Sequence, residues 1–358
     1  MACRPFVFWA SIAVVLLAGV AAAQTPAVKY APPEQVRADF LKLVDRPRGD
    51  FKAEFASERV DDLTIDRGVI LAESGSDELI PITIVRQTGR TGRLPVVICL
   101  HGTAGSRSDF DEIVPRLARR GYVAVAFDAR YHGDRVPGGA DGAEQYNEAI
   151  IAAWRAKAGE KQEHPYWYDT AYDLWRTIDY LVSLPTVDPD RIGAMGISMG
   201  GTEIMLAGAV DQRIKVSIPM IAVQSLRWSL ENNRWHSRVA TILAAHAVAA
   251  YDMGKSLIDP EVARALWNKV VPGALDKFDG PSLVRLFAPR PLFIVNSELD
   301  DNCPLPGAQI AFDQAQAAYA SAGAADHLNI YVAPGLQHQV TGNEIRMADD
   351  WLDRWLKP

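Results

Sequence analysis

Cysteine is scarce in this chain, with three among 358 residues, and the histidines and cysteines lack the close spacing of zinc ligands. The glycine-rich segments match neither a phosphate-binding loop nor a dinucleotide fingerprint. The sequence therefore predicts no metal and no cofactor. Cys99 and Cys303 fall on different predicted strands, so we expect two free thiols rather than a disulfide, with Cys99 buried.

An excess of basic charge is also missing, because the formal net charge is −7 at pH 7. A nucleic-acid-binding protein presents a basic face, and an anionic membrane surface likewise attracts basic segments. We therefore expect a small-molecule substrate and no nucleic-acid partner. The chain has no internal repeat and no low-complexity tract, and its composition leaves the oligomeric state open.

The N-terminus carries a long apolar run, Phe6–Val20, which follows the basic residue Arg4. The small residues 21–23 precede Gln24, and this is the arrangement of a cleavable secretory signal peptide. The alternative, a membrane anchor, needs a somewhat longer apolar run. We therefore expect a signal peptide over residues 1–23, a secreted or periplasmic protein, and no stable membrane association after cleavage.

Buried strands alternate with helices through most of the chain. Residues 24–60, rich in proline, alanine and charge, are interpreted as a lead-in segment on the surface, and residues 61–358 as one domain. Short apolar runs predict strands, and amphipathic stretches predict helices. The predicted strands are 79–86, 95–100, 122–127, 191–197, 214–219, 291–296 and 328–333; the predicted helices are 110–120, 172–184, 199–210, 307–322 and 343–356. This alternation predicts an α/β fold with a mostly parallel, doubly wound sheet.

Two long segments interrupt the alternation. Residues 131–170 are polar and aromatic, and residues 221–280 are longer and mostly helical in pattern. Loops of this length usually serve a function. We interpret residues 221–280 as a helical cap over the carboxyl edge of the sheet, where open α/β folds bind ligands.

The central motif is Gly196-Ile197-Ser198-Met199-Gly200, between a predicted strand and a predicted helix. Gly-x-Ser-x-Gly is a weak signal alone, but this context is what a nucleophile elbow requires. Glycines permit the tight turn, and the serine is expected in a strained backbone conformation. We therefore predict Ser198 as the nucleophile of a hydrolase.

A nucleophilic serine needs a histidine base oriented by a carboxylate, in the chain order Ser, acid, His. His236 and His246 fall in the expected cap, and His327 begins a strand at the opposite edge. His338 follows the last strand on a loop at the carboxyl edge, so it is the predicted base.

Three carboxylates follow the strand 291–296, and one of them should orient His338. We choose Asp300 and keep Asp301 as its rival, because Glu298 comes too early in the turn. The side chain of Asp301 is expected to point the other way.

An oxyanion hole needs two backbone N–H groups aimed at the developing charge. Position in the fold suggests the N–H of Met199, after the nucleophile, and that of Thr103, in the loop after the strand ending at Leu100. His101 in the same loop is expected to shape it rather than to act as a base. Downstream, Asp128 and Arg130 are expected to hold their loop by ion pairing.

The segments HGTAGS, GISMGG, ELDDNCPLPG and PGLQHQVT resemble the branch of the α/β-hydrolase superfamily that holds dienelactone hydrolases, acetyl-xylan-type esterases and acylaminoacyl-peptidase-like proteins. Residues 223–238 look like a helix of uncharacterised members of that branch. The resemblance runs from about residue 61 to the C-terminus. It implies Ser198, Asp300 and His338 as triad, and Thr103 with Met199 as oxyanion donors. This chain differs in one place: Asn296-Ser297 stands where many members of the branch have a glycine. The difference affects which position after the strand carries the acid, and so the assignment of Asp300.

The sequence thus predicts a serine esterase that cleaves a carboxylic ester through an acyl-enzyme. Peptide, amide or lactone hydrolysis on the same site is the alternative, although a peptidase of this branch usually adds a β-propeller, for which the lead-in is too short. A catalytically inactive binding protein is the third interpretation. Superfamily membership does not identify the acyl group or the alcohol, because one fold serves many reactions.

Overall fold

A computed structural model describes residues 29–48, 50–73, 76, 78–137 and 142–357 of the chain. Its centre is a nine-stranded sheet with the strand order β1-β2-β3-β5-β4-β6-β7-β8-β9. The strands are β1 (Ala53–Val60), β2 (Leu63–Leu71), β3 (Leu79–Gln87), β4 (Leu94–Leu100), β5 (Val123–Phe127), β6 (Val187–Ile197), β7 (Ile214–Met220), β8 (Leu292–Ser297) and β9 (Leu328–Ala333). The strands from β5 to β9 are parallel, and β1, β2 and β3 extend one edge in antiparallel pairing.

Helices cover both faces of this sheet. They are α1 (Pro33–Val44), α2 (Ile113–Arg119), α3 (Ala143–Arg155), α4 (Tyr168–Ser183), α5 (Met199–Val210), α6 (Leu226–Glu231), α7 (His236–Ala240), α8 (Leu243–Asp252), α9 (Pro260–Val270), α10 (Gly280–Val284), α11 (Leu305–Ser321) and α12 (Gly342–Leu356). Short 3₁₀ helices occupy Arg107–Phe110, Gly133–Arg135 and Ala325–His327. The predicted mostly parallel, doubly wound α/β fold with a helical insertion is confirmed.

The central strand β4 shows why its sequence is apolar without alternation. Val96, Ile98 and Leu100 belong to the core on the face covered by α4 and α5. Val97 and Cys99 belong to the core on the opposite face, covered by α2 and α12. Because successive side chains of a strand point to opposite faces, a strand buried on both sides needs apolar residues at every position.

The sequence located most central elements, and several of its predictions need correction. The predicted helix 110–120 is a 3₁₀ turn followed by the shorter α2, and α4 begins at Tyr168 rather than at residue 172. Residues 131–170, expected as a long loop, contain the helix α3. α3 presents one apolar face, on which Tyr146, Ile150 and Ala153 are buried, and this spacing is that of an amphipathic helix.

The lead-in segment departs from its expected position on the surface. α1 buries Val36, Phe40 and Val44, which are spaced four residues apart and share one helix face. The Phe40 ring packs edge-on against Tyr168 and Phe278, with 5.0 Å between ring centroids in each pair. The compact unit begins at residue 31, whereas β1 and the residues just before it, 50–52, are largely exposed.

Two other predictions concern the termini and the thiols. The predicted signal peptide, residues 1–23, lies outside the described residues. Among those described, no helix combines the length and apolarity that crossing a membrane requires. Cys99 and Cys303 are free, and Cys99 is buried, as expected. Cys303 is also buried and lies in the loop after β8 rather than on a strand.

Candidate active site

Ser198 occupies a strained turn between β6 and α5. Its φ is +54°, in the left-handed region that side chains other than glycine rarely adopt. The Ser198 N–H donates to the Met220 carbonyl at 2.9 Å, and the Gly200 N–H donates to the His101 carbonyl at 3.0 Å. These bonds hold the turn against the ends of β7 and β4, and the strain predicted for the elbow is confirmed.

The glycines of the motif are required by close backbone approach. A Cβ on Gly200 would lie 2.4 Å from the Leu100 carbonyl oxygen, and one on Gly196 would lie 2.5 Å from the Gly200 carbonyl carbon. Real side chains do not come this close to backbone atoms. Glycine at both positions therefore lets α5 start directly against the end of β4.

The loop after β9 carries His338 to the elbow. Its Nε2 lies 2.7 Å from Ser198 Oγ, and its Nδ1 lies 2.7 Å from Asp300 Oδ2. Because a carboxylate only accepts, Nδ1–H is the donor to Asp300, which leaves Nε2 free to accept from the Ser198 hydroxyl. The three groups thus form one directed series of hydrogen bonds from serine to carboxylate.

Asp300 is buried at the start of the loop that follows β8. Its Oδ1 accepts the N–H groups of Asn302 at 2.7 Å and of Cys303 at 2.9 Å. The acid and histidine loops are also joined through their backbones, by Glu298 N–H to the Ala333 carbonyl at 3.0 Å. A second bond links Leu299 N–H to the Leu336 carbonyl at 2.8 Å.

The neighbouring carboxylates face elsewhere. The Asp301 side chain is 72% exposed and pairs with Arg234 at 2.7 Å. Glu298 accepts the Gly335 N–H at 2.8 Å, which ties the two loops together. Of the three carboxylates weighed from the sequence, the structure brings only Asp300 to His338.

The residues proposed as oxyanion donors lie beside the serine. A Cβ on Gly102 would be 3.6 Å from Ser198 Cβ, so the loop holding Thr103 passes next to the nucleophile. Met199 opens α5, where the first N–H groups have no partner within the helix. Within the described residues, neither the Thr103 nor the Met199 N–H donates to a protein acceptor. Both N–H groups can therefore receive a ligand oxygen.

His101 is held by backbone groups on both sides of its ring. Nδ1 donates to the Gly102 carbonyl at 2.8 Å, and Nε2 accepts the Ala129 N–H at 3.0 Å. Burial lowers the pKa of His101, while the bond to Gly102 and nearby carboxylates oppose that shift. A neutral imidazole with both nitrogens in use shapes its loop, as the sequence predicted.

Ion pairs also hold the loop after β5, as expected. Asp128 pairs with Arg107 and accepts its N–H at 2.7 Å. Arg130 forms a two-pronged pair with buried Asp173, at 3.0 and 3.1 Å. Neither pair includes the proposed triad.

One group of potential metal ligands coincides with this site: Asp300, Cys303 and His338 present ligand atoms within 4.8 Å of one another. Metal-binding cysteine must be a thiolate, whereas burial raises the pKa of Cys303 to about 12, against an opposing effect of Arg238. The Asp300 carboxylate and the His338 imidazole are also bonded to each other. This donor set suits proton transfer better than metal binding.

Sequence reasoning missed two residues that contact the acid loop. Gln224 and Arg238 come from the helical insert, and both donate to the Asn302 carbonyl oxygen, at 2.6 and 3.4 Å. No local motif marks them. The only sequence signal is their place in a segment that resembles a helix of related chains.

Comparison with known proteins agrees with this architecture. The profile of the dienelactone hydrolase family matches residues 82–271. YtaP of Bacillus subtilis (strain 168), which bears a hydrolase name, is 24% identical over 300 residues, or 80% of this chain and 87% of YtaP. The 4-O-methyl-glucuronoyl methylesterase of Hypocrea jecorina (strain QM6a) is 30% identical over 165 residues, or 44% of this chain and 33% of the methylesterase.

A solved structure extends the likeness to nearly the whole chain. Acetyl xylan esterase 1 from Thermoanaerobacterium sp. JW/SL YS485 superposes with a TM-score of 0.63 over 90% of this chain and 93% of its own. Its sequence identity is 17%, so this likeness concerns the fold. The dienelactone hydrolase profile, in contrast, spans more than half of the chain. This protein therefore belongs to the dienelactone hydrolase family and is a hydrolase with the α/β-hydrolase fold.

Proposed function

We propose that this protein hydrolyses carboxylic esters through an acyl-enzyme formed on Ser198, with His338 as general base and Asp300 as its orienting acid. The observation that carries the proposal is the directed series of hydrogen bonds, 2.7 Å from Ser198 Oγ to His338 Nε2 and 2.7 Å from His338 Nδ1 to Asp300. A serine hydroxyl becomes a competent nucleophile when a base in this position takes its proton.

In the acylation step, Ser198 Oγ attacks the ester carbonyl carbon and its proton passes to His338 Nε2. Asp300 stabilises the imidazolium that forms. The carbonyl oxygen becomes an oxyanion, which accepts hydrogen bonds from the N–H groups of Thr103 and Met199. The tetrahedral intermediate collapses, the bond to the alcohol oxygen breaks, and His338 returns the proton to that oxygen.

Deacylation repeats these steps with water as the nucleophile. His338 takes a proton from water as the water oxygen attacks the acyl carbon. The tetrahedral intermediate then collapses, the bond from the acyl carbon to Ser198 Oγ breaks, and the proton returns to Oγ. A carboxylic acid leaves. The same residues serve both halves because Nε2 alternates between accepting and donating one proton while Nδ1 stays bonded to Asp300.

Family membership supports a small-molecule ester or lactone as substrate. A lactone is a cyclic ester and passes through the same tetrahedral intermediate. The names of the similar proteins, a methylesterase and an acetyl xylan esterase, are ester-hydrolase names. We place the lactone beside the open-chain ester as a substrate of the same site.

The test is the hydrolysis of p-nitrophenyl acetate by wild type and by Ser198→Ala. We expect kcat to fall by about four to six orders of magnitude, as the loss of a serine nucleophile does elsewhere. Ser321→Ala, which removes an exposed hydroxyl from α11, should leave turnover unchanged. If folded Ser198→Ala turns over the ester within tenfold of the wild-type rate, Ser198 is not the nucleophile. If wild type hydrolyses amides faster than matched esters, its substrate is an amide rather than an ester.

We further propose that residues 1–23 direct export and are then removed, on the basis of their sequence pattern alone. N-terminal sequencing of the protein from an exporting bacterial host should give a mature chain that begins at Gln24. Recovery of the chain from the cytoplasm with residues 1–23 intact would contradict export.

A further inference from the structure

A buried arginine of the helical insert stands behind the acid loop. Arg238 lies on α7 and is 3% exposed, which is rare for an arginine unless its charge is compensated. Its guanidinium carbon lies 5.5 Å from the centre of the Trp167 ring. Burying a cation costs free energy unless other groups compensate its charge. The groups around the Arg238 guanidinium therefore indicate what this residue does.

Arg238 contacts Tyr166 and the acid loop. Nη2 donates to the Asn302 carbonyl oxygen at 3.4 Å and approaches Cys303 Sγ at 3.5 Å. Burial lowers the pKa of Arg238, but Tyr166, Cys303 and Asp300 together raise it above its ordinary value. The guanidinium is therefore a cation, and it lies close enough to Asp300 to interact with its charge.

Gln224 supports the same carbonyl from the start of the insert. Its Nε2 donates to the Asn302 oxygen at 2.6 Å, and its Oε1 accepts the Ser229 hydroxyl at 2.9 Å. The Cys303 thiol also donates to the Ile221 carbonyl at 3.2 Å. Hydrogen bonds made by the side chains of Arg238, Gln224 and Cys303 thus fasten one short stretch of the acid loop to the insert.

The peptide group between Asn302 and Cys303 connects these bonds to the triad. Its C=O accepts from Arg238 and Gln224, and its N–H donates to Asp300 Oδ1 at 2.9 Å. A cation at the oxygen of a peptide group polarises it and strengthens its N–H as a donor. In one orientation, the Asn302–Cys303 peptide directs its C=O toward Arg238 and its N–H toward Asp300.

We propose that Arg238 is a positioning residue: it fixes and polarises the Asn302–Cys303 peptide, and this peptide holds the Asp300 carboxylate in line with His338. This inference rests on the proposed function, because it assigns Arg238 a part in the same acylation. It predicts that the insert serves the chemistry through the acid loop.

The test compares Arg238→Met, which keeps length but removes the charge and the donors, with Arg234→Met. Arg234 is the matched control because it lies in the same insert and pairs with Asp301, the exposed neighbour of Asp300. We expect Arg238→Met to lower kcat for p-nitrophenyl acetate by about 10- to 100-fold, the usual cost of losing an outer-shell partner. KM should change by less than about threefold, because Arg238 does not touch the ester. Arg234→Met should leave both constants within about twofold.

Two further readouts separate positioning from a merely structural role. Arg238→Lys, which keeps the charge, should recover part of the lost kcat. We expect a downfield proton resonance from His338 Nδ1–H in wild type, and it should broaden or vanish in Arg238→Met. If Arg238→Met does not fold, Gln224→Met removes the other donor to the same carbonyl and should lower kcat with KM unchanged.

Unchanged kcat in folded Arg238→Met, or in folded Gln224→Met where that variant takes its place, would overturn the proposal. So would a rise in KM without a fall in kcat, since that pattern marks a substrate contact. Failure of the proposed function is distinguishable, because it would appear as full activity of Ser198→Ala, whatever Arg238 does.

Discussion

The proposed triad and the helical insert meet at the same edge of the sheet, but different forces hold them there. Ser198, Asp300 and His338 each follow a parallel strand, and backbone hydrogen bonds hold each of their loops at the strand ends. Ser198 N–H bonds to the Met220 carbonyl at the end of β7, and Glu298 N–H bonds to the Ala333 carbonyl at the end of β9. Parallel strands end at one edge, so the pairing of β6 to β9 alone brings the three loops together.

The insert contacts the acid loop itself through side chains instead. Gln224 and Arg238 donate to the Asn302 carbonyl oxygen, and Arg234 pairs with Asp301 at the surface. The backbone bonds of the insert lie on either side of that loop, from Ile221 N–H to the Val295 carbonyl at 2.6 Å and from Ser225 N–H to the Gly307 carbonyl at 3.0 Å. The strand ends therefore determine that Ser198, Asp300 and His338 meet. The insert determines how firmly the loop of Asp300 is held.

The largest expected effect separates the two neighbouring aspartates of the acid loop. Asp300→Asn keeps the shape but no longer fixes the Nδ1–H tautomer of His338, so kcat should fall by about 10⁴-fold. Asp301→Asn should change kcat by less than about threefold, since its exposed ion pair with Arg234 is weak. Steady-state ester hydrolysis by both variants measures the difference.

The opposite ranking of these variants would transfer the acid to Asp301 and would mean that the acid loop is arranged differently in solution. Circular dichroism of both variants serves as the control for folding. Equal, small effects would show that His338 is held by other contacts.

A smaller effect is expected from His246 in the insert, which should make the free energy of unfolding depend on pH. His246 is buried in α8, and burial lowers its pKa to about 4, against the opposing bond to the Ile242 carbonyl. Between pH 6.5 and pH 4 the unfolded chain binds a proton that the folded chain does not, so stability falls as the pH falls through this range. His246 should account for a loss of about 2 kcal/mol between pH 8 and pH 5.

Urea unfolding at pH 8 and pH 5 measures this contribution. His246→Leu should lose less stability on acidification than wild type, whereas the exposed His236→Leu in the same insert should behave like wild type. The same pH dependence in wild type and His246→Leu would place the acid sensitivity elsewhere. An unchanged triad activity in His246→Leu at pH 8 would show that this part of the insert acts on stability alone.

The contrast between paired strand ends and side-chain contacts of the insert explains which features the sequence predicted. The elbow is a local motif, and α5 and β9 have the bounds that the sequence predicted, because buried strands and the helix after the elbow have short-range patterns. The meeting of Asp300 with His338 followed from chain order and the parallel sheet. These inferences needed no knowledge of which distant side chains touch.

Other features depend on contacts that no local pattern encodes. The apolar spacing of Val36, Phe40 and Val44 was present in the sequence, but proline and charge around it suggested a surface segment. β1 was missed because nearly all of its residues are exposed, and β2 because polar residues and a glycine interrupt its buried positions. Arg238 meets the acid loop across 64 residues of chain, and an arginine in a helical pattern ordinarily predicts a solvated face.

Active-site labelling identifies the nucleophile itself. The folded protein is treated with a fluorophosphonate, digested, and mapped by mass spectrometry, with Ser198→Ala and Asp300→Asn as parallel samples. We expect one phosphonylated residue, Ser198, in wild type, slower labelling of the same residue in Asp300→Asn, and none in Ser198→Ala. Labelling of another serine, or no labelling of folded wild-type protein, would contradict it.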